Sequence, residues 1–260
     1  MNSSRSFDRA ASYYDQTRPL PESIAEPGMQ AILDITGPSA RVLEVGTGTG
    51  RIGIPLLERG LDLFGCDLSS KMLRRLHEKF PAARVAQADA TVLPFPSAHF
   101  EAVVTVHVLH LIPFWHDVLR EIRRVLTPEG TYLNVTTWGS TGISIRERLR
   151  LHWRDWLATR GLTVRNPGMQ DHVDFAQAVE SQGGHLTEIE VLCYPIRFVL
   201  REELERYASR ILSDTWDISD DIFEESVQDL QAFAEHEYGD LNLEYEDEVR
   251  FFIDLVRFKA

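Results

Sequence analysis

The chain has 260 residues, of which 43% are hydrophobic, and a net charge of −13. That length and apolar content suffice for one full α/β core with added elements, and the negative balance argues against a nucleic-acid partner, whose binding needs clustered Lys and Arg. No apolar run approaches the roughly 20 residues that cross a bilayer, and the opening MNSSRSFDRAASYYDQ lacks the apolar centre of a signal peptide, so a cytoplasmic location is expected. Cys66 and Cys193 are isolated and belong to no Cys-x-x-Cys pair, and both read as small buried hydrophobes.

Taken in chain order, two helices are expected first, over residues 7–14 and 22–35. From residue 41 short β-rich runs alternate with amphipathic stretches, the pattern of βαβ units around a parallel sheet. Strands are predicted at 41–45, 61–66, 84–88, 102–106 and 131–136, with helices starting near Gly50 and Ser69. Gly60 closes the first of these helices and Pro81 follows the second. Residues 115–126 form a further helix, with Val118, Leu119, Ile122, Val125 and Leu126 on one face, before Thr127-Pro128-Glu129-Gly130 turns into the fifth strand. Helices follow at 143–159, 173–182, 202–212 and 220–238, with strands at 185–194 and 248–258. If those two strands pair antiparallel, the helices between them are an insertion. Residues 201–260 hold 18 Asp and Glu against 6 Lys and Arg, nearly all of the chain's acidic excess. A solvated helical face accounts for it, with repulsion of anionic substrates as the second reading.

The richest stretch for chemistry is Glu44-Val45-Gly46-Thr47-Gly48-Thr49-Gly50, which closes the first strand and opens the helix expected from Arg51. Glycines at alternate positions let the chain turn through conformations closed to residues with a Cβ and let a ligand lie on bare main chain. A dinucleotide fingerprint would read G-x-G-x-x-G, with its third glycine where Arg51 stands. Here the spacing is G-x-G-x-G, and the carboxylate of Glu44 before it repels a pyrophosphate and attracts a cation. S-adenosylmethionine fits, since one half is an ammonium and a sulfonium and the other an adenosine.

Two more acids stand at strand ends. Asp67 ends the second strand, where a carboxylate can bind both ribose hydroxyls of a nucleoside; the competing reading is a helix cap by Asp67 or Ser69. Asp89 follows the third strand and can accept from an adenine amino group. After the fourth strand come His107 and His110, either of which can take a proton near neutral pH, although a lone histidine is more often structural. His-x-x-His also evokes a metal, but no third ligand stands at a recognisable spacing, and no metal is expected.

The segments VLEVGTGTGR, GCDLSSKML, QADATVLPFP, FEAVVTVHVLHLI and LREIRRVLTPEG together resemble the class I S-adenosylmethionine-dependent methyltransferases, in particular the small-molecule branch with the ubiquinone and menaquinone enzymes. The resemblance covers roughly residues 7–137. It implies an α/β fold with a doubly wound, mostly parallel seven-stranded sheet, an antiparallel last strand and an added helical cap. It also implies one methyltransferase domain over 1–260. Within it, residues 1–37 are a helical lid, 38–140 the cofactor-binding core, 141–165 and 200–242 cap insertions, and 170–198 and 245–258 the closing helix and strands.

The same resemblance assigns residues. Glu44 and the stretch Gly46, Thr47, Gly48 to Gly50 would hold the methionine end of S-adenosyl-L-methionine, and Asp67 the ribose. Leu68 and Met72 would pack on the adenine, and Asp89 with Ala90 would meet its edge. Tyr14 and Arg18, in the leading segment that also takes in Pro19, would close over the cofactor. His107 and His110 would stand near the reacting methyl group, His107 also touching the cofactor. The partner implied is a small, apolar or aromatic molecule accepting a methyl group on O, N or C. Its pocket would draw on Trp138, Trp153, Trp156, Trp216, Phe223 and Phe233, for each of which core packing is the alternative. Two other functions fit parts of the pattern: an S-adenosylmethionine-binding protein without catalysis, and a nicotinamide oxidoreductase, against which Glu44 and Arg51 count.

Overall fold

The structure, a computed structural model, describes residues 6–18, 22–139 and 144–259. Pro19, Ile143 and the side chain of Trp138 lie outside them. The elements run α1 (Tyr14–Thr17), α2 (Glu22–Thr36), β1 (Arg41–Val45), α3 (Gly53–Glu58), β2 (Asp62–Asp67), α4 (Ser70–Lys79), β3 (Arg84–Gln87), β4 (Phe100–Val106), α5 (Trp115–Val125) and β5 (Leu126–Gly139). They continue with α6 (Ile145–Ala158), α7 (His172–Ser181), β6 (Gly184–Val199), α8 (Leu200–Ala208), α9 (Asp220–Tyr238) and β7 (Glu244–Phe258).

The strands form one seven-stranded sheet in the order β3-β2-β1-β4-β5-β7-β6. β1 pairs in parallel with β2 and β4, β2 with β3, and β4 with β5, while the last strands run antiparallel. The chain therefore steps from β1 outward through β2 to β3, then returns to the other side of β1 as β4. That reversal opens a crevice beyond the carboxyl ends of β1 and β4, the usual ligand position in such sheets. Strands covered on both faces read as continuous apolar runs, and β1 is buried at every residue after Arg41.

Two compact units divide the chain. The first holds residues 1–137, 167–192 and 251–260, and the second 138–166 and 193–250. In the first, α5 lays Val118, Leu119, Ile122 and Val125 against Leu43, Val103 and Tyr132 of the sheet. The same helix fixes the connection after β3. Arg124 donates to the carbonyls of Leu93 and Phe95 at 3.0 and 2.8 Å, and Glu121 accepts from the Leu93 N–H at 2.7 Å.

The second unit packs Leu149, Trp153 and Leu157 of α6 with Leu200, Leu204 and Tyr207 of α8 and Phe223 and Leu230 of α9. Trp153 is 1% exposed and donates its indole N–H to Ser226 Oγ at 3.0 Å. His152 stacks on Phe233 with ring centroids 3.8 Å apart. The acidic surplus of this unit meets arginines of α6: Arg146 pairs with Glu203, Arg148 with Glu237, and Arg150 with Asp214.

Several expectations shift: Cys193 is exposed rather than buried, and β6 and β7 each run longer than the sequence pattern suggests. Residues 7–14 form turns that lead into a single helical turn, α1, rather than a helix. The helix after the glycine loop begins at Gly53, since residues 46–52 are spent on the turn itself. β5 starts at Leu126: the register jumps from Phe100↔Leu126 to Ala102↔Thr131, so residues 127–130 bulge opposite Glu101. α8 ends at Ala208, where Arg210 takes φ +57° and breaks the helical run.

The packing of Trp153 makes a direct prediction. Trp153→Ala empties a fully buried site and removes the hydrogen bond to Ser226, and should destabilise the protein by about 3–5 kcal/mol in urea unfolding. A loss under about 1 kcal/mol would show that the indole is not part of the core.

Candidate active site

Everything at the crevice follows from how the chain leaves β1. Gly46, Gly48 and Gly50 all take positive φ. At Gly46 the requirement is twofold, because φ is +78° and a Cβ would stand 2.3 Å from Val108 Cγ2. The Gly46 and Thr47 N–H groups both donate to the Cys66 carbonyl, at 2.8 and 3.0 Å, which straps the loop onto the end of β2. Gly48 N–H donates to Asp67 Oδ2 at 2.9 Å, and Ser69 N–H donates to Asp67 Oδ1 at 2.8 Å. One carboxylate thus joins the turn after β1 to the turn after β2. Ser69 in turn caps α4 by accepting from the Met72 N–H at 3.1 Å.

Glu44 lies beneath this loop. It is 2% exposed and its Oε2 accepts from Thr47 Oγ1 at 2.5 Å. Burial pushes its carboxyl up to about 7, the Thr47 hydrogen bond pulls the other way, and the charge of Asp67 adds to the rise. Asp67 is raised too, chiefly by burial, against the hydrogen bonds from Ser69 and Gly48. Two desolvated acids a few residues from bare backbone make this end of the sheet a place where a cation is stabilised.

The loop, Asp67 and the turn after β3 enclose a cleft of about 730 Å³, its open mouth included. Nine of the residues expected from sequence line it: Tyr14, Gly46, Gly48, Asp67, Leu68, Met72, Asp89, Ala90 and His107. Glu44, Thr47, Gly50, Arg18 and His110 are not on its wall. Glu44 and Thr47 support the loop from below, and Gly50 accepts the Ile54 N–H that starts α3. Asp89 is exposed, and its Oδ1 accepts from the N–H and hydroxyl of Thr91. The lining also includes Phe7, Val45, Cys66, Ala88, Val106, Val108, Leu111 and Ile112. In the sequence these apolar residues are indistinguishable from core, and only a place at or just past a strand's carboxyl end marks them, Phe7 of the leading segment excepted.

The two histidines part company. His107 lines the cleft in the left-handed conformation, φ +54°, with its N–H donating to the Val135 carbonyl at 3.2 Å. Burial pushes its imidazole down to about 3, with the nearby His110, Arg51 and Arg18 adding to the fall. It is therefore neutral at physiological pH and a weak base in this pocket. His110 lies in a single 3-10 turn, Leu109–Leu111, whose carbonyls at Leu109 and His110 accept from the N–H groups of Met169 and Gly168.

The leading segment is tied down on the same loops. Asp15 accepts from Thr49 Oγ1 at 2.5 Å and pairs with Lys79 at 3.0 Å, while Asp8 accepts from the Ser69 hydroxyl. Arg51 donates to the Arg18 carbonyl at 3.2 Å, and the Arg18 guanidinium lies 4.8 Å from the centre of the Tyr14 ring. These contacts place Phe7 and Tyr14 on the cleft wall.

A crevice at a sheet reversal, a glycine turn on bare backbone and acids at consecutive strand ends thus meet at one end of the sheet. Residues 43–134 match the family model described as Methyltransferase domain. Malonyl-[acyl-carrier protein] O-methyltransferase from Halorhodospira halophila is 32% identical over 137 residues, covering 51% of this chain and 46% of the relative. Demethylmenaquinone methyltransferase from Beutenbergia cavernae is 33% identical over 131 residues, covering 48% and 53%. The chain thus spans about half the length of these curated relatives. Its fold is similar to that of phosphoethanolamine N-methyltransferase 2 from Haemonchus contortus in complex with S-adenosyl-L-methionine. The TM-score is 0.54 with 18% identity, covering 97% of this chain and 57% of that one.

The buried acid and the buried imidazole pull stability in opposite directions with pH. Glu44, raised to about 7 from 4.5, holds a proton in the folded state that the unfolded chain releases, so its contribution falls as pH rises across that window. His107, lowered to about 3 from 6.5, is neutral when folded while the unfolded chain is protonated, so its contribution grows with pH up to 6.5. Between 4.5 and 6.5 the two nearly cancel. In urea unfolding, Glu44→Gln should become more stable by roughly 2 kcal/mol on going from about pH 5 to about pH 6.5 relative to wild type, and His107→Asn less stable by a similar amount. Three parallel pH profiles would contradict this.

Proposed function

We propose that the protein is an S-adenosylmethionine-dependent methyltransferase that modifies a small molecule in the cleft. The observation that carries the reading is one cavity walled by the backbone of Gly46 and Gly48, the Asp67 carboxylate and Asp89, within a methyltransferase-domain segment. The residues present fit the cofactor. The cradle at Gly46 is closed to any Cβ, and the buried acids favour a sulfonium and an ammonium over a pyrophosphate.

When bound, the cofactor supplies a methyl group on a positively charged sulfur. Asp67, its two oxygens already steadied by Gly48 and Ser69, accepts from the ribose hydroxyls. Leu68 and Met72 cover the adenine, and Asp89 and Ala90 read its edge. The backbone of Gly46–Gly48 takes the methionine end, while Glu44 and Thr47 act through the shape and charge of that loop. His107, kept neutral, offers a hydrogen bond without adding a second positive charge beside the sulfonium. Val106, Val108, Leu111, Ile112 and Phe7 exclude water from the transfer path, which matters because an in-line displacement depends on alignment more than on proton transfer. The acceptor is a small apolar or aromatic molecule whose nucleophilic atom carries a free electron pair.

Calorimetry with S-adenosylmethionine and S-adenosylhomocysteine tests the cofactor. Wild type should bind both, Asp67→Asn should bind at least about tenfold more weakly, since hydrogen bonds to a charged group are worth about 1.5–3 kcal/mol, and Gly46→Val should not bind. Absence of binding to wild type would overturn the proposal. Methyl transfer to none of a panel of quinols, phenols, amines and carboxylates by a protein that binds the cofactor would favour a non-catalytic binding protein instead.

A further inference from the structure

A second polar cluster lies in the first unit, built from three elements that the cleft does not use. His172 at the start of α7, Glu188 on β6 and Asp254 on β7 turn one imidazole nitrogen and two carboxylate oxygens toward one another, all within 4.8 Å. His172 Nε2 stands 2.9 Å from Asp254 Oδ1 and 3.4 Å from Glu188 Oε2. One imidazole nitrogen has one proton or one lone pair, so it satisfies one of these two oxygens in line and leaves the other facing it poorly bonded. A cation between them satisfies all three. Even with the two oxygens at the full 4.8 Å, an ion can stand within about 2.4 Å of all three atoms, so a small movement of the exposed Glu188 side chain brings it to zinc–nitrogen and zinc–oxygen distances.

The surroundings hold that geometry. Asp254 is 2% exposed, and its other oxygen accepts from Asn134 Nδ2 at 2.9 Å. Asn134 Oδ1 accepts from Thr105 Oγ1 at 3.1 Å, and Thr105 Oγ1 lies 2.8 Å from the Tyr132 hydroxyl. This buried chain leaves Asp254 Oδ1 aimed at the histidine, as outer partners orient the ligands in metal centres. Glu188 is exposed, which leaves an entry path and a side open to water.

We propose that His172, Glu188 and Asp254 bind one divalent transition-metal ion, zinc in first place because an imidazole joins two carboxylates. The site lies outside the cleft and its occupancy is independent of the methyl-transfer reading. By tying α7 to β6 and β7, the ion stabilises the sheet edge on which α7 rests.

The test is calorimetry of zinc chloride into the full chain after stripping with EDTA, alongside thermal melts with and without zinc. One equivalent should bind saturably and raise the midpoint. His172→Gln and Glu188→Gln should each weaken binding by more than about tenfold, losing a ligand being costlier than losing an outer partner. His110→Ala, lacking the other plausible histidine, should bind zinc as wild type does. If His172→Gln fails to fold, Glu188→Gln on its exposed side chain carries the comparison. No saturable binding, or equal affinity in wild type and Glu188→Gln, would overturn the proposal; loss of zinc in His110→Ala alone would place the ion elsewhere and overturn it too.

Discussion

The Asp67 carboxylate is the constraint on which the crevice depends. Its oxygens hold the N–H groups of Gly48 and Ser69, so the turns after β1 and β2 cannot move independently. The cost is a desolvated acid whose charge disfavours that of the buried Glu44 and is itself disfavoured by the charge of Asp8. Folding tolerates the pair because Thr47, Gly48 and Ser69 supply donors, and the remaining imbalance points outward into the cleft. A cation delivered there relieves what the fold alone leaves unrelieved. The left-handed glycine at 46 belongs to the same economy: a side chain would strike Val108 and push the loop off the Cys66 carbonyl.

Strands covered on both faces announce themselves, and β1 and β4 were legible from Val42, Leu43 and Val45 and from Ala102 to Val106 without any contact information. So was the capping role of Ser69, a serine one residue before an amphipathic run. The leading segment was not, because residues 7–14 are shaped by tertiary bonds from Asp8 to Ser69 and Asp15 to Thr49 rather than by helix propensity. Asp67 and Asp89 could be picked out because strand ends are readable. Val108, Leu111 and Ile112 could not, since facing a cleft and facing a core demand the same side chains. His172, Glu188 and Asp254 share no spacing at all, and only the pairing of β6 and β7 brings two of them together.

The acidic last quarter also reads differently once folded. Glu203, Asp214 and Glu237 answer Arg146, Arg150 and Arg148 of α6, so part of the surplus is matched inside the second unit rather than displayed. Trp153 and Phe223, expected on a substrate pocket, close that unit's own core. Aromatic content alone does not distinguish a lid from a core; burial does.

The central claim is that one nucleoside with a cationic tail fills the cleft between the glycine turn and Asp89. A crystal structure of the protein with S-adenosylhomocysteine tests it most directly. The ribose hydroxyls are expected on Asp67, the adenine between Leu68, Met72 and Ala90, and the amino-acid end on the Gly46–Gly48 backbone. A ligand bound elsewhere, or one in the cleft with its ribose away from Asp67, would contradict it.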